Sequence, residues 1–167
     1  LNLQYEVKER VGRGAFCEVW RLIERVTQQQ RALKVFSNEK SRLSKERNVI
    51  RNEVEVLRFL NSPLLYRLVS VDYTISHTFI VTDFIDGVNL QQFLKRNKRS
   101  LRNEANARTL WKQILEQVML LYNSNVYHRD LKLSNFMITP RDRIHVIDFG
   151  FSVFRNNDLQ VKDFCGS

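Results

Sequence analysis

Residues 128–150 constrain the fold most, because they read as a short β-hairpin with polar side chains at both ends. Two apolar runs, Phe136–Thr139 and Ile144–Ile147, lie on either side of the turn-forming sequence Pro140-Arg141-Asp142. A hairpin brings its two ends together, since its paired strands run side by side. Side chains just before the first strand and just after the second are therefore expected to converge.

Three oxygen donors occupy these two ends. Asp130 and Asn135 precede the hairpin in the sequence His-Arg-Asp-Leu-Lys-Leu-Ser-Asn, and Asp148 follows it in Asp-Phe-Gly. Two carboxylates and one amide oxygen are hard donors, which suit Mg²⁺ and a substrate that carries phosphate. The stretch therefore predicts a site that handles a metal ion and phosphate.

The rest of the chain alternates between strand-like and helical hydrophobic periods on the way to this hairpin. Strands are predicted at 5–11, 18–25, 31–36, 66–73 and 78–84, and helices at 45–60, 90–96 and 104–122. The first helix has an apolar stripe of Val49, Ile50, Val54, Leu57 and Leu60. The long helix has a predicted buried face of Ala107, Leu110, Trp111, Ile114, Leu115, Val118 and Leu121. A β-rich half followed by a helix-rich half predicts an α+β fold.

Composition excludes several classes of protein. Of the 167 residues, 43% are hydrophobic and 27% charged, as in a folded protein rather than a disordered one. The net charge of +9 is the only feature that favours nucleic acid, and the Lys and Arg residues are scattered, so we expect no nucleic-acid partner. The apolar runs are too short for a membrane span. Cys17 and Cys165 have neither metal-ligand nor disulfide spacing, which favours an intracellular, cytoplasmic setting.

Two glycines, Gly12 and Gly14, form a G-x-G pair in the first part of the chain. Such a pair is common in ordinary turns and by itself does not indicate a phosphate loop. It lies between two predicted strands, whereas Rossmann and Walker loops need a strand followed by a helix. The place of a third glycine in G-x-G-x-x-G is taken by Cys17.

Taken together, the motifs resemble those of a eukaryotic-type protein kinase of the serine/threonine class. The H-R-D-x-K-x-x-N loop corresponds to residues 128–135, the D-F-G motif to 148–150, and the V-A-I-K strand to Arg31-Ala32-Leu33-Lys34. The resemblance covers essentially the whole chain. It implies an antiparallel β N-lobe with one regulatory helix and a hinge over residues 1–85, then the first part of a helical C-lobe over residues 86–167.

The resemblance also implies a role for each chemical group. Asp130 would accept or orient the proton of the attacking substrate hydroxyl, and Lys132 would reach the phosphoryl group in transfer. A lysine at position 132 is the pattern of serine/threonine kinases, so the expected partner is a protein with a Ser or Thr hydroxyl. Lys34 would contact the α- and β-phosphates of ATP and pair with a glutamate of the first helix.

Position on the helix selects that glutamate. Glu53 lies on the same stripe as Ile50 and Leu57, and a carboxylate on a buried face needs a partner, which Lys34 can supply. Glu55 falls on a solvated flank instead. The N-E-x-x-[IL]-L pattern of the family selects Glu53 as well, and the alternative is a surface glutamate on a slightly rotated helix.

The expected cofactors are ATP and Mg²⁺. Asn135 and Asp148 would hold the metal ion, which neutralises charge on the β- and γ-phosphates. By resemblance, the nucleotide contacts are Val11, Gly12, Gly14, Val19, Ala32, Lys34, Asp83, Ile85, Asn89 and Met137. For the hinge and apolar members of this set the alternative is ordinary core packing or a helix cap.

The chain departs from the family pattern in two places. Cys17 replaces the third glycine, and the chain stops inside the activation segment, before the A-P-E motif. We therefore expect a kinase fragment that is inactive alone and has an apolar face open to solvent. The alternatives are a pseudokinase that serves as an interaction module and, less favoured, a small-molecule kinase.

The last residues suggest both a subfamily and a form of regulation. The ending Asp163-Phe-Cys-Gly-Ser most resembles the calcium/calmodulin-dependent and AMP-activated-like group. In kinases of this pattern a threonine at that position is the activating phosphosite. The carboxylate of Asp163 is expected to supply part of the same negative charge permanently, and the alternative is a solvated loop residue without this role.

Overall fold

The structure is a computed structural model that describes residues 3–14, 17–38, 44–60, 62, 64–97 and 104–155. The chain divides into two compact units. The first comprises Leu1–Asn61 and Tyr66–Phe84, and the second comprises Ser62–Leu65 and Ile85–Ser167.

The first unit is an antiparallel sheet of five strands with one helix. Its elements are β1 (Tyr5–Arg13), β2 (Cys17–Glu24), β3 (Gln30–Ser37), α1 (Ser44–Phe59), β4 (Leu68–Tyr73) and β5 (His77–Asp83). The strand order is β1-β2-β3-β5-β4, so β3 lies at the centre. β1 runs two residues beyond the end predicted for it, because Gly12 and Arg13 still pair with β2.

Each face of this sheet carries its own apolar cluster, because side chains alternate along a strand. One cluster is Tyr5, Leu22, Leu33 and Val81. The other contains Phe36 and Ile80 from the strands and Ile50 and Val54 from α1. The whole predicted stripe of α1 is buried, which confirms its inward face. The second cluster therefore fixes α1 against one face of the sheet.

The second unit is built from helices and short strands. Its elements are β6 (Val88–Asn89), α2 (Leu90–Arg96), α3 (Glu104–Asn123), β7 (Val126–Tyr127), a 3₁₀ turn (Leu133–Asn135), β8 (Phe136–Ile138), β9 (Ile144–Val146) and β10 (Val153–Phe154). The predicted hairpin is confirmed as β8–β9, and β6 pairs with the other edge of β8. Together with the five-stranded sheet, these helices confirm the predicted α+β fold class. In the part of the chain that the structure describes, no helix is long and apolar enough to cross a bilayer.

The buried face of α3 differs from the predicted one. Trp111 and Leu115 were assigned to it wrongly, because they are 60% and 45% exposed. The helix turns Gln113 and Gln117 toward β9 instead, where their Oε1 atoms accept hydrogen bonds from two backbone amides of that strand at 3.1 and 3.2 Å. These side chains take the place of a neighbouring strand, so polar residues occupy the inward positions.

Exposed apolar residues form a stripe along the outside of α3. Trp111, Leu115, Met119 and Tyr122 are all between 45% and 60% exposed. They recur at helical spacing, so they line one side of the helix. α3 therefore presents an apolar stripe to solvent in the described structure.

Candidate active site

A buried ion pair in the first unit joins the central strand to the helix. Lys34 lies in β3 and is cross-strand neighbour to Val19 in β2 and Ile80 in β5. Its Nζ donates to Glu53 Oε1 of α1. The Glu53 side chain is only 1% exposed, so the lysine compensates a carboxylate withdrawn from water. The structure contains the pair that the sequence predicts, while Glu55 is exposed.

Three residues assigned to the nucleotide share one sheet face. Val19 stands opposite Lys34, and Ala32 lies two residues before Lys34 on the same strand. Cross-strand partners and alternate residues project to the same side, so all three side chains face the same way. Val19 and Ala32 are half-buried, as apolar residues beside a binding site would be.

The glycine pair closes a turn between β1 and β2. The Gly14 amide donates to the Cys17 carbonyl oxygen at 2.8 Å, and Gly12 pairs with Val19 within the strands. A Cβ at Gly14 would lie 3.6 Å from Cys17 Sγ, an ordinary contact. Cys17 packs against the cluster on the α1 side. Val11, also assigned to the nucleotide, is 47% exposed.

Asp83 ends β5, and both its side chain and its main chain form hydrogen bonds. Its Oδ1 accepts from Arg31 Nη1 at 2.5 Å and its Oδ2 from Arg67 Nε at 2.9 Å. The bond to Asp83 raises the pKa of Arg67. The Asp83 amide donates to the Arg67 carbonyl at 3.0 Å, and its carbonyl accepts from Thr82 Oγ1 at 3.1 Å. Sequence reasoning missed Arg31, because it read the position only as part of a motif.

Two nucleotide assignments in the second unit fall on paired strands. Asn89 in β6 lies opposite Met137 in β8, and both side chains are half-buried. Asn89 Oδ1 also accepts from the Gln92 amide at 2.9 Å, which caps α2. The helix-cap alternative for Asn89 is therefore present, and its ribose role stays a prediction. Ile85, the other hinge assignment, is half-buried.

The carboxylate of Asp130 is buried and oriented by two side chains. Asn135 Nδ2 donates to the Asp130 carbonyl at 2.9 Å and to Asp130 Oδ2 at 3.0 Å. Lys132 Nζ lies 2.9 Å from the same Oδ2. Asp130 and Asn135 are each only 6% exposed. The cation and the amide donor hold this carboxylate in one orientation, which is the geometry that a proton acceptor needs.

Asp148 lies two residues after β9, next to the residue that bonds to Asn135. The Ile147 amide donates to the Asn135 carbonyl at 2.8 Å, which extends the β8–β9 ladder by one step. Asp148 has a φ of 68° and Arg129 a φ of 62°, both in the left-handed region that costs energy for these residue types. Such strain is typical of functional sites. The hairpin thus carries Asn135 and Asp148 at one end, as the sequence predicts.

His128 connects the residues that precede the hairpin to those that follow it. Its Nε2 donates to the Ile147 carbonyl at 3.0 Å, and its Nδ1 accepts from the Asp130 amide at 3.3 Å. Its ring lies 5.5 Å from that of Phe149. Burial lowers the pKa of His128, which keeps the ring neutral with one donor and one acceptor. Sequence analysis assigns no hydrogen bond to His128, so both bonds are a finding of the structure.

The donor chemistry of the second unit fits Mg²⁺. Asn135 turns its NH₂ group toward Asp130, so the amide oxygen Oδ1 is the atom that would serve as a ligand. Asp148 adds a carboxylate, and both are the hard oxygen donors that Mg²⁺ prefers. The residues present therefore suit the metal that the sequence predicts.

Comparison with known proteins decides the family. A model of the protein kinase domain matches residues 5–167. The chain belongs to the protein kinase domain family. The mouse serine/threonine-protein kinase SIK1 is 34% identical over 164 residues, and human NUAK family SNF1-like kinase 1 is 28% identical over 167. The bovine phosphorylase b kinase gamma catalytic chain, liver/testis isoform, is 30% identical over 170 residues.

These relatives match nearly all of this kinase domain sequence, but only part of their own length. The matches cover 98–100% of the chain, whereas they cover 20%, 25% and 41% of the three relatives. The resemblance to the calcium/calmodulin-dependent and AMP-activated-like group is confirmed by these matches. The prediction for Asp163 lies outside the described residues of the kinase domain.

Proposed function

We propose that the protein is an ATP-dependent serine/threonine kinase that transfers the γ-phosphoryl group to a protein hydroxyl. The observation that carries the proposal is the buried Asp130 carboxylate, held by Lys132 and Asn135. The names of the serine/threonine kinases that match the chain support the choice of substrate hydroxyl.

In the first unit, Lys34 would bind the α- and β-phosphates while Glu53 holds its ammonium group in place. Because Glu53 is buried, the lysine side chain is oriented before the nucleotide arrives. The apolar side chains of Val19 and Ala32, on the same sheet face as Lys34, would contact the adenine ring.

In the second unit, Asp130 would accept or orient the proton of the Ser or Thr hydroxyl as the oxygen attacks. Lys132 would stabilise negative charge on the phosphoryl group, since lysine acts as a point charge toward phosphate. Asn135 and Asp148 would hold Mg²⁺, which neutralises charge on the phosphates when bound. His128 would keep Asp130 in position through its amide.

The proposal is tested with the full-length protein, γ-labelled ATP and Mg²⁺, and peptide libraries that contain Ser, Thr or Tyr as the only hydroxyl residue. We expect label in the Ser and Thr libraries and none in the Tyr library. An Arg108→Gln variant serves as the control, because Arg108 pairs with Glu104 on the exposed side of α3. A protein that binds the nucleotide but labels no library would favour the pseudokinase.

A further inference from the structure

Arg31 is a buried arginine at the end of the sheet where β5 stops. It stands where the V-A-I-K motif has its valine, and the residue is only 9% exposed. Its Nη2 lies 2.9 Å from Glu24 Oε2 and 2.7 Å from Gln29 Oε1. Its Nη1 lies 2.5 Å from Asp83 Oδ1. One guanidinium thus joins the end of β2, the turn that follows and the end of β5.

The opposite carboxylate oxygen of Asp83 is held by a second arginine. Arg67, just before β4, donates to Asp83 Oδ2 from its Nε at 2.9 Å and from its backbone amide at 3.2 Å. The two arginines differ in burial, since the Arg31 side chain is 11% exposed and that of Arg67 is 64% exposed. Sheltered charge-assisted bonds are the stronger ones, so Arg31 contributes more than Arg67.

The side chains of this cluster lie on the sheet face away from the one assigned to the nucleotide. Arg31 and Asp83 are cross-strand partners, and the next pair along is Ala32 with Thr82. Neighbouring residues of a strand project to opposite faces, so Arg31 cannot contact a nucleotide bound on the Ala32 face. It can act on the nucleotide only through the backbone of Asp83, because main-chain groups lie in the plane of the sheet rather than on one face.

We infer that Arg31 is a positioning residue that fixes the main-chain carbonyl of Asp83 as the acceptor for the 6-amino group of adenine. The inference rests on the proposed function. A fixed carbonyl accepts a hydrogen bond from the amino group of ATP and opposes the 6-oxo group of GTP, since two acceptors repel. Arg31 therefore sets the preference for ATP over GTP, and no catalytic step passes through it.

The test compares kcat and KM for ATP and for GTP in the full-length protein and in the Arg31→Met, Arg31→Lys and Arg67→Gln variants. For Arg31→Met we expect a KM for ATP raised about tenfold, kcat within about twofold, and a smaller preference for ATP over GTP. The KM for ATP of Arg31→Lys should lie between those of the unmodified protein and Arg31→Met, because an ammonium group lacks the planar fork that reaches both carboxylates. Arg67→Gln should have the smaller effect, because its bond is exposed.

A purely structural role predicts another result. Loss of folded protein would lower the apparent kcat for both nucleotides alike and leave KM and the ATP/GTP ratio unchanged, and that outcome would overturn the inference. If Arg31→Met does not fold, Asp83→Asn, which keeps the shape of the side chain but weakens both bonds, should lower the ATP/GTP ratio. An unchanged ratio in Asp83→Asn would equally contradict it. If the unmodified protein is folded but uses neither nucleotide, the proposed function itself fails.

Discussion

Lys132 Nζ lies 2.9 Å from Asp130 Oδ2, the oxygen that also accepts a hydrogen bond from Asn135 Nδ2 at 3.0 Å. Two donors on one oxygen fix the rotation of the carboxylate and favour its charged form. The same Asn135 amide holds the Asp130 carbonyl, so main chain and side chain are oriented by one residue.

Asn135→Asp should destabilise the protein by about 2–4 kcal/mol near neutral pH, because a second buried carboxylate would face Asp130. The like charges raise the pKa of one of the two carboxyls in the folded state. The stability of the variant is therefore highest below the unfolded-state pKa of about 4, and it falls as pH rises to the raised folded-state pKa. Urea unfolding at several pH values, without nucleotide or metal, measures this.

The matched control is Asn135→Ala, which removes the donor and adds no charge. Its deficit relative to the unmodified protein should vary less with pH than that of Asn135→Asp, because it adds no second titrating carboxyl. Equal pH dependence in the two variants would show that the Asn135 amide does not face the Asp130 carboxylate.

Lys34→Met should cost about 3–5 kcal/mol of unfolding free energy, because it leaves the Glu53 carboxylate buried without its cation. The double variant Lys34→Met with Glu53→Leu should recover most of this loss, since it removes the buried charge as well. Arg108→Gln breaks a pair whose side chains are 78% and 85% exposed, and it should cost less than about 0.5 kcal/mol. A double variant no more stable than Lys34→Met would contradict the pairing.

The lowered pKa of His128 predicts a pH dependence of stability. Below its ordinary value of 6.5 the unfolded chain takes up a proton, while the folded protein keeps the buried ring neutral. The unfolding free energy should therefore reach its full value above about pH 6.5. It should fall as pH is lowered toward the depressed pKa of His128 in the folded protein. His128→Phe loses two hydrogen bonds at every pH but should have a flatter slope between about pH 7.5 and 5.5. An identical slope in both proteins would count against a buried neutral histidine.

Gly87→Ala should destabilise the second unit by about 1–3 kcal/mol. A Cβ at this position would lie 2.3 Å from the backbone oxygen of Ile138, in the strand that pairs with β6. Because the obstacle is main chain rather than a flexible side chain, the strands must separate. Gly12→Ala is the matched control, since its nearest neighbour would be Val19 Cβ at 3.7 Å, an ordinary contact. Equal Tm values for Gly87→Ala and the unmodified protein would disprove the crowding.

The sequence predicts the elements whose signals are local. The hairpin around Pro140 and the apolar stripe of α1 depend on turn residues and on a 3.6-residue period, so they can be recognised without any tertiary contact. The pairing of Lys34 with Glu53 follows as well, because a glutamate on a buried stripe needs a cation.

Other features depend on register and could not be predicted. The contact of Arg31 with Asp83 requires that β3 and β5 pair at that step, which no single segment specifies. The buried face of α3 was misassigned because Gln117 looks like a surface residue until its hydrogen bond to β9 is known. Strands of two residues, such as β7 and β10, are too short for a periodic signal.

The central claim is that Asp130 is the group that handles the proton of the substrate hydroxyl. The most direct measurement compares kcat for phosphoryl transfer and Kd for Mg·ATP in the full-length protein and in Asp130→Asn, with Arg108→Gln as the control. We predict a kcat reduced about 10²–10⁴-fold, a Kd within about twofold and a similar Tm, because the carboxylate is needed only in the transition state. An Asp130→Asn variant with unchanged kcat would contradict the account.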